Sequence, residues 1–157
     1  MKKITTIVAG LLLAFSLSAQ AQLIDKKAMS LAEARKAVAA SLAEAKKNSW
    51  NVVIVVVDDA GQLLTLDRMD SAQRASIDIA IGKARTAAMF KRPSAALEEA
   101  IAKGRNALLS VEGYAFMQGG MPIMVGGEVV GAVGVSGVRA DQDEQVAKAG
   151  VAAVAGQ

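Results

Sequence analysis

The side chains that do chemistry are unevenly supplied in this 157-residue chain, which has no histidine and no cysteine. A Ser-His-Asp triad, a thiolate nucleophile and the usual zinc ligand sets are therefore impossible. What remains is a small group of charged, phenolic and glycine-rich positions. Arg68 and Asp70 close one apolar run, and Ser76 and Lys83 follow it. Tyr114, the single tyrosine, precedes Met117 and the sequence Gly119-Gly120-Met121-Pro122. Arg68 and Lys83 are cations at neutral pH, suited to clamping a carboxylate. A backbone without side chains at Gly119 and Gly120, with Pro122 fixing its direction, would admit a ligand close to the main chain. A tight turn explains the same residues. Met69, Met89, Met117, Met121 and Met124 suit either an apolar slot or core filling. Asp141, Asp143 and Glu144 lack the spacing of a calcium loop and read as a charged first helical turn, so no metal site follows.

These residues must be positioned by elements that the apolar pattern outlines. Ser30 with Glu33 forms a capping box, and Leu31, Ala34, Val38 and Leu42 share one helical face of a helix running to about Lys47. Asn51–Asp59, β-branched on both faces, predicts a strand covered on both sides. Ala60-Gly61 supplies a turn into a second strand, Gln62–Met69. Ser76, with Asp78 in the first turn, reads as the cap of a second helix, whose Ala80, Ala84, Ala87 and Ala88 make a smooth face. Pro93 and Ser94 start a third helix, stopped by Gly104. Met121–Val125 and Glu128–Ser136 make a second hairpin around Gly126-Gly127, and Asp141 with Glu144 caps a last helix. The order α-β-β-α-α-β-β-α predicts an α+β domain, a sheet with helices packed on it. A fifth strand has room between Ala107 and Gln118.

Half of the chain's 14 glycines fall between Gly119 and Gly137. Gly131, Gly134 and Gly137 recur every third residue, so they alternate between sheet faces and cannot all serve one pocket. Nor do they form the dinucleotide-binding fingerprint. Their expected role is close approach of a helix or another subunit, with the alanine face of the second helix as the natural partner.

Residues 1–21 have the lysines, the short apolar run and the Ala19-Gln20-Ala21 site of a secretory leader. Residues 22–157 are then expected to form one domain, working in the periplasm or secreted. Of 18 basic and 15 acidic residues, Lys2 and Lys3 leave with that leader. The remainder is close to neutral, with no basic run and few aromatics, which argues against nucleic acid as a partner.

Three stretches in order, "RMDSAQRASIDIAIGKARTAAMF", "GGMPIMVGGEVVGAVGVSG" and "DQDEQVAKAG", resemble the GlcG/HbpS-like family, also called the haem-degrading or DUF336 family, which includes PduO C-terminal-like domains. The likeness extends from about Ser30 to Ala153. It implies a profilin-like domain with a five-stranded antiparallel sheet, assembled as a homo-oligomer of two or more subunits. It also implies a small-molecule-binding protein for haem or a related tetrapyrrole. Without histidine, haem here would need Tyr114, a methionine or a lysine as axial ligand, or a pocket that grips the ring without ligating iron. On this reading the ligand-binding residues are Arg68, Asp70, Ser76, Lys83, Tyr114, Met117, Gly119, Gly120 and Pro122. The alternatives are an enzyme or accessory protein acting on a small carboxylate such as a 2-hydroxy acid, with Lys83 or Asp70 moving a proton, and an oligomeric scaffold with no ligand.

Overall fold

The computed structural model describes residue 22 and residues 24–155; the leader expected over residues 1–21 lies outside them. Helix α1 (Leu31–Lys47) begins where the capping pattern places it, the Glu33 amide donating to Ser30 Oγ at 3.2 Å. Strands β1 (Val53–Asp58) and β2 (Leu63–Arg68) form the first hairpin. Helices α2 (Ser76–Met89) and α3 (Ser94–Ala102) follow, then a 3-10 turn over Asn106–Ser110. Strands β3 (Gly120–Val125) and β4 (Glu128–Ser136) form the second hairpin, and α4 (Ala140–Ala155) ends the described chain.

All strand pairs are antiparallel, in the order β2-β1-β4-β3, so the two hairpins join along β1 and β4. Among the described residues the sheet has four strands, not five. The stretch between Ala107 and Gln118 makes turns instead, and the backbone of Ala115 and Gln118 bonds to side chains of α2 and α3 rather than to a strand ladder. Residues Val53–Val57 are all fully buried. The reason is a three-layer arrangement. Ile54, Val56, Val133 and Val135 pack under α1 and α4, while Val53, Val55, Val57 and Ala132 pack under α2.

Two starts differ from the sequence reading. Ala75, not Ser76, occupies the N-cap of α2 and makes no side-chain cap; Ser76 is buried inside the first turn. Ahead of α4, the Arg139 and Val138 amides are capped by Gln142 and Asp143, while Asp141 binds the Arg139 guanidinium. The Gly126-Gly127 turn does have positive φ at both residues, as a primed hairpin turn requires.

Gly134 decides how α2 sits. A Cβ there would run into the Ala80 carbonyl oxygen and lie 2.5 Å from the Ala84 amide nitrogen. The alanine face is fully buried at Ala80, Ala84 and Ala87, so glycine and alanine together set the helix backbone against β4. Replacing Gly134 with Val must push α2 off the sheet. We expect Gly134→Val to lose about 3 kcal/mol, read as a lower urea midpoint with an unchanged slope. A midpoint equal to the wild type would mean that α2 is not tightly seated.

Candidate functional site

The sequence-derived site residues do not converge on one pocket. Lys83 points into the protein: it is 2 % exposed, and its Nζ donates to Asp143 Oδ2 at 2.7 Å and to the Val135 carbonyl at 3.0 Å. Gly119 and Gly120 lie against this ion pair. A Cβ on Gly119 would stand 2.9 Å from Lys83 Nζ, and one on Gly120 would strike the Lys83 carbonyl. The glycines thus admit the protein's own helix α2, and the space beside them is filled by Lys83, Asp143 and Ser94. Gly120, Met121 and Pro122 belong to β3 itself rather than to a loop before it. Pro122 is tolerated because β3 is an edge strand. The backbone around these glycines is further tied by Ser94, whose Oγ accepts from the Gly120 amide at 2.8 Å and donates to the Met117 carbonyl at 2.6 Å. Met117 itself is exposed.

Asp143 is the residue whose weight the sequence hid. Besides Lys83, its carboxylate accepts from the Val138 amide at 3.2 Å, so one side chain caps α4 and anchors α2. Burial pushes its carboxyl above the ordinary aspartate value, with the Lys83 hydrogen bond and charge pulling back against that. Removing one partner leaves an uncompensated buried charge, so Lys83→Met alone should cost about 3–5 kcal/mol, and Lys83→Met with Asp143→Leu should recover most of that loss. Native protein also holds the Asp143 proton more tightly than the unfolded chain. The contribution of this carboxyl is therefore full below the ordinary aspartate range and is lost as pH rises through the raised native value. Denaturation across the acid range should show the wild type losing stability relative to Asp143→Asn as pH rises. A relative gain by the wild type would mean that Lys83's attraction outweighs burial.

Tyr114 and Arg68 are separated into two clefts. A groove of about 390 Å³ runs along the outer side of α2, between Ile79, Ile81 and Arg85 and the loop Gly113–Ala115 that carries Tyr114. Its geometry follows from small residues and a threonine. Ala115 packs on Gly82, where a Cβ would stand 2.8 Å from the Ala115 Cβ. Thr86 Oγ1 donates to the Gly82 carbonyl at 2.8 Å and accepts from the Ala115 amide at 3.1 Å. Arg85 fixes the loop's other end through the Gly113 carbonyl at 3.3 Å. The Tyr114 ring meets Phe90 edge-on at 5.2 Å and stacks with Phe116 at 6.1 Å, an aromatic arrangement that holds it in place. Its hydroxyl makes no hydrogen bond among the described residues. The groove is mainly apolar, with Asp78 and Arg85 as its charged groups.

Arg68 and Asp70 lie elsewhere, in a larger and more polar cleft of about 570 Å³ at the open end of β2 beside α1. Ser76, buried in the first turn of α2, reaches neither cleft. No cluster of three or more acidic side chains suited to a metal ion occurs among the described residues.

Comparison with known proteins agrees with this architecture. Residues 29–152 match the family model described as haem degrading protein HbpS-like. Protein GlcG of Escherichia coli (strain K12) is 43% identical over 99 residues, 63% of this chain and 74% of its own length. The crystal structure of a double mutant of Streptomyces reticuli HbpS superposes with a TM-score of 0.80 at 34% identity, covering 87% of this chain and 94% of that one. A crystal structure of a PduOC:heme complex superposes with a TM-score of 0.73 at 26% identity, covering 81% of this chain and 95% of that one.

Proposed function

Since the chain belongs to the HbpS-like family, we propose that it binds a planar anionic tetrapyrrole of the haem class in the groove between α2 and the Gly113–Ala115 loop. The single observation that carries this reading is the position of Tyr114. The chain's one phenol is held by Phe90 and Phe116 in a mainly apolar groove, with Arg85 beside it and its hydroxyl unengaged. These residues fit the chemistry of such a ligand. Ile79, Ile81 and the Tyr114 ring offer apolar surface to the macrocycle. Arg85 spends two of its five N–H groups on backbone carbonyls and keeps the others for a propionate. Bound haem would supply iron, and a phenolate is among its known protein ligands. The haem bound by a relative in its crystal structure supports the same class.

Arg68, Asp70, Lys83, Gly119 and Gly120 take no part in this site, because they line another cleft or face the interior. Lys83, buried in its ion pair, is not presented to a small hydroxy acid for proton transfer, which leaves that alternative to Asp70 alone. We place the protein in the periplasm or outside the cell, on the pattern of its first 21 residues, and as a homo-oligomer. Exposed apolar side chains at Leu63, Met89, Leu109 and Val111 support the latter.

Titration of purified protein with haemin should give a saturable Soret change. Tyr114→Phe should shift the band and weaken binding at least tenfold, and Arg85→Gln should weaken it without the spectral shift. An unsaturable change that neither variant alters would show haemin sticking to apolar surface and overturn the assignment.

A further inference from the structure

The two edges of the sheet are finished differently. On β3 the Val135 amide donates to the Gly119 carbonyl, so the next residues to turn their main-chain groups outward are Gly120 and Pro122. The Gly120 amide is taken by Ser94 Oγ at 2.8 Å, and Pro122 has no N–H to offer. On β2 the Met69 amide donates to the Val52 carbonyl. The pairs Val53–Arg68 and Val55–Leu66 therefore leave the N–H and C=O of Leu66 and Arg68 turned away from β1. No group among the described residues takes them up. Helix α2 lies over β4, β1 and β3 and leaves this border open. Strand β2 carries neither proline nor lysine, the residues that commonly guard an edge, and its Leu63 is 51 % exposed.

From this unguarded edge we infer that β2 pairs antiparallel with β2 of a second copy of this chain, about a two-fold axis at Leu66. The inference rests on the homo-oligomer reading above and names the surface that carries it. A second copy fits because the strand complements itself when reversed. Leu66 then meets the partner's Leu66 on the α2 side of the sheet, and Thr65 meets the partner's Asp67 on the other side. The first is an apolar pair and the second joins a hydroxyl to a carboxylate. Registers centred on Asp67 or on Arg68 would instead set two carboxylates, or two guanidinium groups, directly opposite each other, which is destabilising. Leu64 is the extra residue between the pairs Val56–Thr65 and Val57–Leu63, and this bulge ends the ladder beyond Thr65. Two four-stranded sheets thereby become one continuous sheet, with both β3 edges left outermost. The contact is short, so the dimer forms and dissociates with protein concentration.

The chain has no cysteine, so single cysteines in the purified protein report the register directly. Leu66→Cys puts two thiols on hydrogen-bonded partners with Cα atoms about 5.5 Å apart, inside the range that a disulfide spans. Asp67→Cys and Arg68→Cys carry theirs out of register along the strands, beyond that range. Under mild oxidation Leu66→Cys is expected to form a covalent dimer about tenfold faster than either of the others. Sedimentation velocity should show the wild type self-associating. Leu66→Lys, which places a guarding charge at the axis, should raise the concentration needed by about tenfold, with circular dichroism and the haemin titration unchanged. If the wild type associates while Leu66→Cys links no faster than the other two, or Leu66→Lys associates like the wild type, the β2 edge is overturned. The homo-oligomer reading then stands on another surface. A wild type that stays monomeric at every concentration overturns both.

Discussion

The distance between α2 and the sheet governs the rest of the structure. Gly134, Gly119 and Gly120 strip the sheet of side chains where the helix crosses it, and Ala80, Ala84 and Ala87 strip the helix in turn. Backbones brought this close leave no room for water, so the one long side chain on that side of α2, Lys83, is sealed in. A buried ammonium without a partner is untenable, and Asp143 from the first turn of α4 supplies the counter-charge. The ion pair thus follows from the close packing. It also ties α2 on one face of the sheet to α4, which packs with α1 on the other.

The seating of α2 has a consequence on its outer side. With its alanine face consumed by the sheet, the helix presents Ile79, Ile81 and Arg85 outward, and Gly82 lets the Gly113–Ala115 loop approach as Gly134 lets the sheet approach. Small residues on two sides of one helix therefore fix both the core and the groove. Thr86 closes that arrangement by satisfying the loop backbone through its hydroxyl, which is why the loop holds Tyr114 in a defined place without joining the sheet.

Much of the fold was legible because periodicity and turn chemistry are local. The Ser30 cap, the doubly buried β1, the alanine face of α2 and the Gly126-Gly127 turn all follow from neighbouring residues. The expected fifth strand between Ala107 and Gln118 is replaced by a 3-10 turn over its first residues, and the backbone of Ala115, Met117 and Gln118 finds its partners in Thr86, Ser94 and Glu98, side chains far away in sequence. The site was legible in its ingredients and misread in its grouping. Tyr114 and Arg68 look like co-lining residues in a list of polar positions, yet α2 and the edge of β2 carry them to separate clefts.

The amino-acid sequence alone determined the chemistry open to this protein. Lacking imidazole and thiol, it works with hydroxyl, thioether, amide, carboxylate, ammonium and guanidinium groups, and the order of hairpins and helices follows from its apolar pattern. Tertiary structure decided which of those groups face solvent. Lys83 reads as a surface clamp in one dimension because a lysine on a helix is normally solvated. It becomes an interior cation only because the glycines of β3 and β4, and a carboxylate sixty positions onward in α4, meet it in space. Burial is a property of long-range contacts, and no local window of residues contains it.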